Sequence, residues 1–377
     1  MTRPLRVLHV VSGDLWAGAE VQAFTLISHL GKIPDTTVAA VLMNDGILAE
    51  RLRSVGITVF VLDERENGGL RIFRRLREVL HRWQPNVVHT HRQKENILGS
   101  LANWSSRRVV CVRTVHGLGG RHEQRSWWGV RRSVVDRLDL WCGCALQQKV
   151  VTVSQDLSAR LKDSFPSGRI AVIENGVDVE TIRAQRGIAG FRREDPDRTH
   201  VGIAGRLVEV KRVDLFIDAA VVLRREEPDR GWRFHIFGDG PMRQALERHA
   251  ETAGAMDVIR FHGHRQDIVT CVGGLDALVI CSDHEGLPMI ALEAAALGVP
   301  TVAHEVGGLP EVVPREFLVS QHDVPGYREG ILRALRTDAR VVAAHQAAEL
   351  PKLFSAERNA ERIRAMYEQA VAERFTG

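Results

Sequence analysis

Short β-branched apolar runs alternate along this chain with longer segments whose apolar residues recur every three or four positions. The runs at 5–11, 38–42, 57–62, 87–89, 109–115, 150–153 and 170–173 read as strands. Residues 19–30, 48–55, 70–82 and 96–103 read as helices between them. Strands that alternate with helices at short spacing predict a parallel sheet wrapped by helices on both faces. Residues 180–199 are polar, arginine-rich and contain a proline, so a linker is predicted there. The pattern then restarts, with strands at 200–204, 233–237, 258–261 and 278–281 and helices at 213–226, 241–253, 268–272 and 289–297. The expected fold class is α/β: two Rossmann-like, doubly wound parallel-sheet domains, at 1–182 and 183–354. A tail at 355–377 carries Ile363, Met366, Tyr367 and Ala370 on one helical face, which needs a surface to pack on, and the first domain is the candidate. Open sheets bind ligands beyond the carboxyl ends of their strands, so a site in a cleft between the two sheets is expected.

The most informative stretch is 281–313. An apolar strand runs into the turn Ser282-Asp283-His284-Glu285-Gly286, then Leu287-Pro288 leads into a helix rich in Ala and Leu that Gly298 ends. Eight positions separate Glu285 from Glu293, which would be about 12 Å of helical rise. Between them the free N–H groups of Met289, Ile290 and Ala291 point the positive end of the helix toward an incoming anion. A phosphate flanked by hydroxyl groups fits that pattern, and a nucleotide sugar has that shape. Either glutamate alone is ordinary surface chemistry; the flanking Gly-Leu-Pro turn and Gly307-Gly308-Leu309-Pro310-Glu311 are not.

Other segments extend this picture. Gly205-Arg206, after the first strand of the second half, and Lys211 supply a planar fork and a mobile point charge for a leaving diphosphate. The same segment reads also as a solvated basic loop. Phe237-Gly238-Asp239-Gly240-Pro241 is a glycine-rich turn between strand and helix. Gly18 opens the first helix, either facing a phosphate or simply making a tight turn. No GxxxxGK[ST] loop and no full GxGxxG follow the first strand, which disfavours ATP hydrolysis and nicotinamide chemistry. His116 ends a first-domain strand beside glycine, where a neutral imidazole can bond a sugar hydroxyl or shuttle a proton. His89 and His91 point to one side of a strand, but without a third ligand no metal site is expected. Arg121, Arg125, Arg131, Arg132 and Arg137 surround Trp127-Trp128. That mixture fits an anionic membrane surface, and fits equally a helix that packs its tryptophans inward.

Composition narrows the classes. In 377 residues, 44% hydrophobic and 26% charged content allows two large cores. A net charge of +4 suits anionic ligands without calling for nucleic acid. Five cysteines, an odd number, read as reduced thiols of a cytoplasmic protein. No apolar run approaches the ~18 residues of a membrane span, so a soluble or membrane-peripheral protein is expected.

Taken together, the Glu285-x7-Glu293 pair, Gly205-Arg206 with Lys211, the Phe237–Pro241 turn, Asn175-Gly-Val-Asp178 and the glycine loop at Gly18 resemble the retaining glycosyltransferases of family 4. The N-terminal loop reads Ala-Gly-Ala-Glu rather than a double glycine. The resemblance implies the two-domain GT-B fold, a UDP- or GDP-linked sugar donor, retention of anomeric configuration and no required metal. It implies Glu285 at the donor sugar, Glu293 at the ribose, and Arg206 and Lys211 at the diphosphate. It places main-chain groups of Gly286, Leu287, Met289 and Ile290, with Gly18, Gly205 and Gly238, along the donor, and His116 beside the sugar. The segment around His262, Gly263 and His264 resembles the base-contacting loop. The implied acceptor is a glycan or a lipid-linked saccharide. Two other classes stay open: a nucleotide-sugar epimerase on the same fold, and a non-catalytic glycan- or membrane-binding protein.

Overall fold

The computed structural model describes residues 4–14, 16–117 and 127–376. It divides into two compact units, Met1–Gly176 with Ala356–Gly377, and Val177–Ser355.

The first unit is built on seven parallel strands: β1 Leu5–Val11, β2 Thr36–Leu42, β3 Thr58–Val61, β4 Val87–Thr90, β5 Val110–Val115, β6 Lys149–Thr152 and β7 Ile170–Val172. Their order is β3-β2-β1-β4-β5-β6-β7. The central strands are buried on both faces, which is why they read as predominantly apolar runs. Alternate residues serve opposite cores. Leu5, Val7 and Val11 pack under helices Gly18–Leu30 and Ala356–Thr376, and Leu8 and Val10 under helix Gly69–Trp83. The tail therefore belongs to this core, where Ile363, Met366 and Tyr367 are buried. Each such side chain stabilises the docking by about 1.5–3 kcal/mol.

The second unit has six parallel strands: β8 Thr199–Ala204, β9 Trp232–Phe237, β10 Ile259–Gly263, β11 Ala277–Ile280, β12 Thr301–His304 and β13 Leu318–Val319. Their order is β10-β9-β8-β11-β12-β13. In both sheets the first strand of the unit lies inside and the order reverses beside it, between β1 and β4 and between β8 and β11. That reversal is where open α/β sheets leave a crevice for ligands.

Several details differ from the sequence reading. The expected linker at 180–199 contains helices Val179–Ala184 and Gly190–Glu194. The first is capped by the Asp178 side chain, which accepts from the Thr181 N–H at 2.9 Å. The units divide at Gly176 and Val177, and residue 182 lies inside that capped helix. A helix, Trp127–Leu146, carries the second half of the Arg- and Trp-rich segment, as one of its two readings expects. Among the described residues, no helix is long and apolar enough to cross a membrane.

Candidate functional site

The carboxyl ends of β8, β9 and β10 are laced together by their backbones. Gly205 N–H donates to the Phe237 carbonyl at 3.0 Å, Leu207 N–H to Asp239 at 2.9 Å, and Gly238 N–H to Gly263 at 2.7 Å. Gly238 has φ +130°, and a Cβ there would lie 1.8 Å from the Gly205 carbonyl oxygen. The glycine-rich turn is thus a packing requirement: only Gly lets these strand ends meet. Gly307 does the same for the acidic loop, since a Cβ there would lie 2.0 Å from the Glu285 carbonyl oxygen.

A recess opens at the carboxyl ends of β8, β9 and β11, lined among others by Gly205, Arg206, Lys211, Ser282, Glu285 and Ile290. Lys211 closes the 3₁₀ turn Glu209–Lys211, and the left-handed Arg212 (φ 46°) after it starts helix Val213–Glu226. Lys211 Nζ donates to Glu285 Oε1 at 2.5 Å, and the Ser282 hydroxyl donates to the same oxygen at 2.6 Å. Arg206 is exposed, and among the described residues its guanidinium has no acidic partner. The recess thus presents one neutralised cation and one unneutralised one. A dianionic group entering it can take the lysine from Glu285 and bind the arginine fork.

The helix beside the recess is Met289–Leu297, with Pro288 at its N-cap. Glu285 therefore stands before the helix rather than on its first turn, so the separation from Glu293 is not a helical rise. The Ala291 N–H is already used by the Pro288 carbonyl at 3.1 Å, leaving Met289 and Ile290 as the anion-facing donors. The side chains of Leu287 and Met289 are buried, so these two positions can meet a ligand only through their backbones. Glu293 is buried, and burial pushes its carboxyl up to about 7. Among the described residues no cation offsets that burial. His264 is exposed beyond β10, Gly286 is buried, and Gly205 is exposed.

The remaining expected residues belong to the first unit. Gly18 is the exposed first residue of helix Gly18–Leu30. His116 follows β5, half-buried, and is the end of an imidazole array. Its Nε2 lies 3.3 Å from His91 Nδ1, and His91 Nε2 lies 2.9 Å from His9 Nδ1. His89 stacks on His91 and uses both ring nitrogens, on the Tyr367 hydroxyl at 2.5 Å and the Thr114 hydroxyl at 2.7 Å. Burial lowers all four imidazoles, His9 to about 3 and His116 to about 4, so the array is neutral. His9 is the third histidine absent from the sequence reading: nitrogens of His9, His89 and His91 lie within 4.8 Å of one another. Cross-strand pairing of His9 with His89 brings it there, which no local pattern signals. With both nitrogens of His89 and of His91 engaged, the group reads as a hydrogen-bonded array rather than as a set of convergent ligands. Nearby, Arg92 pairs with buried Glu20 at 2.5 Å, yet burial still pushes Glu20 up to about 7.

In the basic segment, Arg121 and Arg125 lie outside the described residues, as do the side chains of Trp127, Trp128, Arg131 and Arg132. Farther along that helix Val134, Leu138 and Trp141 are exposed at helical spacing.

Residues 198–337 match the family model described as glycosyl transferases group 1, and residues 16–181 match that of glycosyltransferase family 4. A D-inositol 3-phosphate glycosyltransferase of Corynebacterium urealyticum is 30% identical over 315 residues, 75% of this chain and 71% of the relative. One of the same description from Saccharomonospora viridis is 32% identical over 235 residues, 58% of this chain but only 54% of the relative. Among solved structures, Anabaena Alr3699/HepE in complex with UDP and glucose superposes with a TM-score of 0.81 at 17% identity, covering 97% of this chain and 100% of that one.

Proposed function

Because the chain belongs to glycosyltransferase family 4, group 1, with the GT-B fold of two Rossmann-like units, we propose that it transfers a sugar with retention of configuration. The donor is a UDP- or GDP-linked sugar, and the acceptor a glycan or lipid-linked saccharide. The observation that carries this reading is the recess where Arg206, Lys211 and Glu285 converge beside the first N–H groups of helix Met289–Leu297.

The chemistry follows from that charge arrangement. Breaking the sugar–phosphate bond builds negative charge on the departing diphosphate and positive charge on the sugar ring. Arg206, Lys211 and the N–H groups of Met289 and Ile290 stabilise the first, preorganised and partly shielded from water. These two cations do the work that a metal does in other phosphate sites, so the scheme calls for none. Once Lys211 moves to phosphate, Glu285 is free to hold a sugar hydroxyl. Burial pushes the Glu293 carboxyl up to about 7 and among the described residues no cation faces it, which suits a pair of ribose hydroxyls that both give and take hydrogen bonds. The departing phosphate oxygen takes the acceptor's proton, so the scheme requires no protein nucleophile. His116, Gly18, Gly205, Gly238, Gly286, Leu287 and His264 complete the proposed donor contacts, the buried ones through backbone. Exposed Val134, Leu138 and Trp141 near Arg137 support an acceptor presented at an anionic membrane surface.

The deciding experiment incubates the purified chain with a panel of UDP- and GDP-sugars, with lipid-linked saccharides, free glycans or D-inositol 3-phosphate as acceptors. Mass spectrometry reads the product and NMR the anomeric configuration. An α-linked product from an α-linked donor is expected. A changed sugar still attached to nucleotide, formed without acceptor, replaces this reading with an epimerase. Absence of calorimetric binding to any nucleotide sugar replaces it with a non-catalytic protein.

A further inference from the structure

The second sheet contains an imidazole chain that the scheme above leaves unused. It begins at the Asp195 carbonyl, 2.8 Å from His200 Nε2. His200 Nδ1 lies 2.9 Å from His235 Nε2, and His235 Nδ1 lies 2.8 Å from His262 Nε2. The three rings stack in succession, with interplanar angles of 17° and 29°, and Phe191 packs against them. The chain crosses the sheet diagonally, from the second residue of β8 to the carboxyl end of β10.

Its polarity is determined by the first link. A carbonyl oxygen can only accept, so His200 Nε2 carries the proton. Burial lowers all three imidazoles, His235 to about 2, so each ring carries one proton. His200 Nδ1 is then bare and accepts from His235 Nε2–H, and His235 Nδ1 is bare and accepts from His262 Nε2–H. The remaining nitrogen, His262 Nδ1, is left with a lone pair. His262 is half-buried, and among the described residues that nitrogen has no hydrogen-bond partner while also not being sealed from solvent. Reversing the chain would set the bare Nε2 of His200 against the Asp195 carbonyl oxygen 2.8 Å away, two lone pairs facing each other, and leave that carbonyl only the longer 3.3 Å bond from the Arg198 N–H.

The position of that lone pair suggests what it meets. His262 stacks on Phe237 at 4.6 Å, and Phe237 lines the recess of Arg206 and Lys211. The recess follows β8, and β10 lies two strands away, roughly 10 Å across the sheet. That is about the reach from a diphosphate across a ribose to a base. We propose that His262 is a specificity-determining residue, held by His200 and His235 as an obligate acceptor for the ring N–H of uracil or guanine. Cytosine and adenine present a bare ring nitrogen at the corresponding edge, and two lone pairs facing each other repel. This inference rests on the reading of the second unit as the nucleotide carrier. His200 and His235 are positioning residues that touch no ligand.

The test combines two readouts on the full chain. Nitrogen-15 NMR of the histidine side chains reports which ring nitrogen is protonated, and His262 should show protonated Nε2 and bare Nδ1. Calorimetry with UDP, GDP, CDP and ADP should show UDP or GDP preferred over CDP and ADP by about tenfold or more. His262→Leu should erase that ratio, and His262→Asn, whose amide oxygen can occupy the Nδ1 position, should restore most of it. The opposite tautomer in the wild type, or a UDP-to-CDP ratio unchanged in His262→Leu, overturns the proposal while leaving nucleotide binding intact. Failure of all four nucleotides to bind overturns the nucleotide reading and this inference with it.

Discussion

Each sheet carries a chain of three hydrogen-bonded imidazoles, yet the two chains differ at their buried ends. In the second unit, His200 is pinned to a carbonyl oxygen, which dictates every proton position out to His262. In the first unit, His9 Nε2 is buried and has no partner among the described residues, so none of them chooses between the two directions. His116 can therefore present either a donor or an acceptor, whichever its ligand calls for, and the His9–His91–His116 chain can reverse as a whole. An anchored chain selects a ligand; an unanchored one adapts to it. The adaptable end suits the bonding of a sugar hydroxyl, which both gives and accepts, and the rigid end suits a base edge.

The same contrast holds for charge. The first unit sets Arg92 against its buried Glu20, whereas Glu293 in the second unit has no such cation among the described residues, and burial pushes both carboxyls up to about 7. The recess holds its charges at the surface, with Lys211 parked on Glu285. If the second unit performs the charge work, Lys211→Ala should lower turnover by about 10²–10³-fold. Its unfolding midpoint should change little, because a partly exposed ion pair contributes at most about 1 kcal/mol. Near-normal turnover of this variant in a steady-state assay would remove Lys211 from the mechanism.

Glu293 gives a test by pH. Its carboxyl titrates near 7 in the folded chain and near the ordinary 4.5 when unfolded. Between those values the native state binds the extra proton, so stability should fall as pH rises, by up to roughly 3 kcal/mol across the window. Glu293→Gln should lose this contribution and gain on the wild type above pH 7, as read by urea unfolding at pH 5 and 8. Parallel pH profiles for the two proteins would mean that the carboxyl is solvated after all.

The smallest effect addresses the chains directly. His200→Leu strands the buried His235 N–H, leaves the Asp195 carbonyl only its 3.3 Å bond from the Arg198 N–H, and should destabilise by about 2 kcal/mol. His9→Leu removes a ring that already has an unbonded nitrogen and should cost less, about 1 kcal/mol. Equal losses in denaturant titration would erase the distinction between an anchored and an open chain.

Much of this protein is legible locally. Parallel strands buried on both faces are apolar along most of their length, so β1, β4, β8 and β11 stand out as runs. Glu285, Arg206 and Lys211 are legible because each follows a strand, where turn chemistry and charge are visible in a few consecutive residues. The helix Gln155–Leu161 and the helices inside 180–199 were not, since short polar helices have too few apolar positions to show a period. The histidines were hidden for a different reason. His9, His200 and His235 sit inside apolar strands and look like isolated core polar residues one at a time. Their partners lie 82, 35 and 27 residues away. Only strand order and register bring those rings within hydrogen-bond distance.

By itself, then, the order of residues determined the two α/β halves, the acidic loop with its basic partners and the packing face of the final helix. These depend on periodicity and on turns a few residues long. Tertiary structure decided that Lys211 rests on Glu285, that Glu293 is buried without a counter-charge, and that one imidazole chain ends on a carbonyl while the other does not. Burial, desolvation and proton position are properties of neighbours brought together from distant parts of the chain.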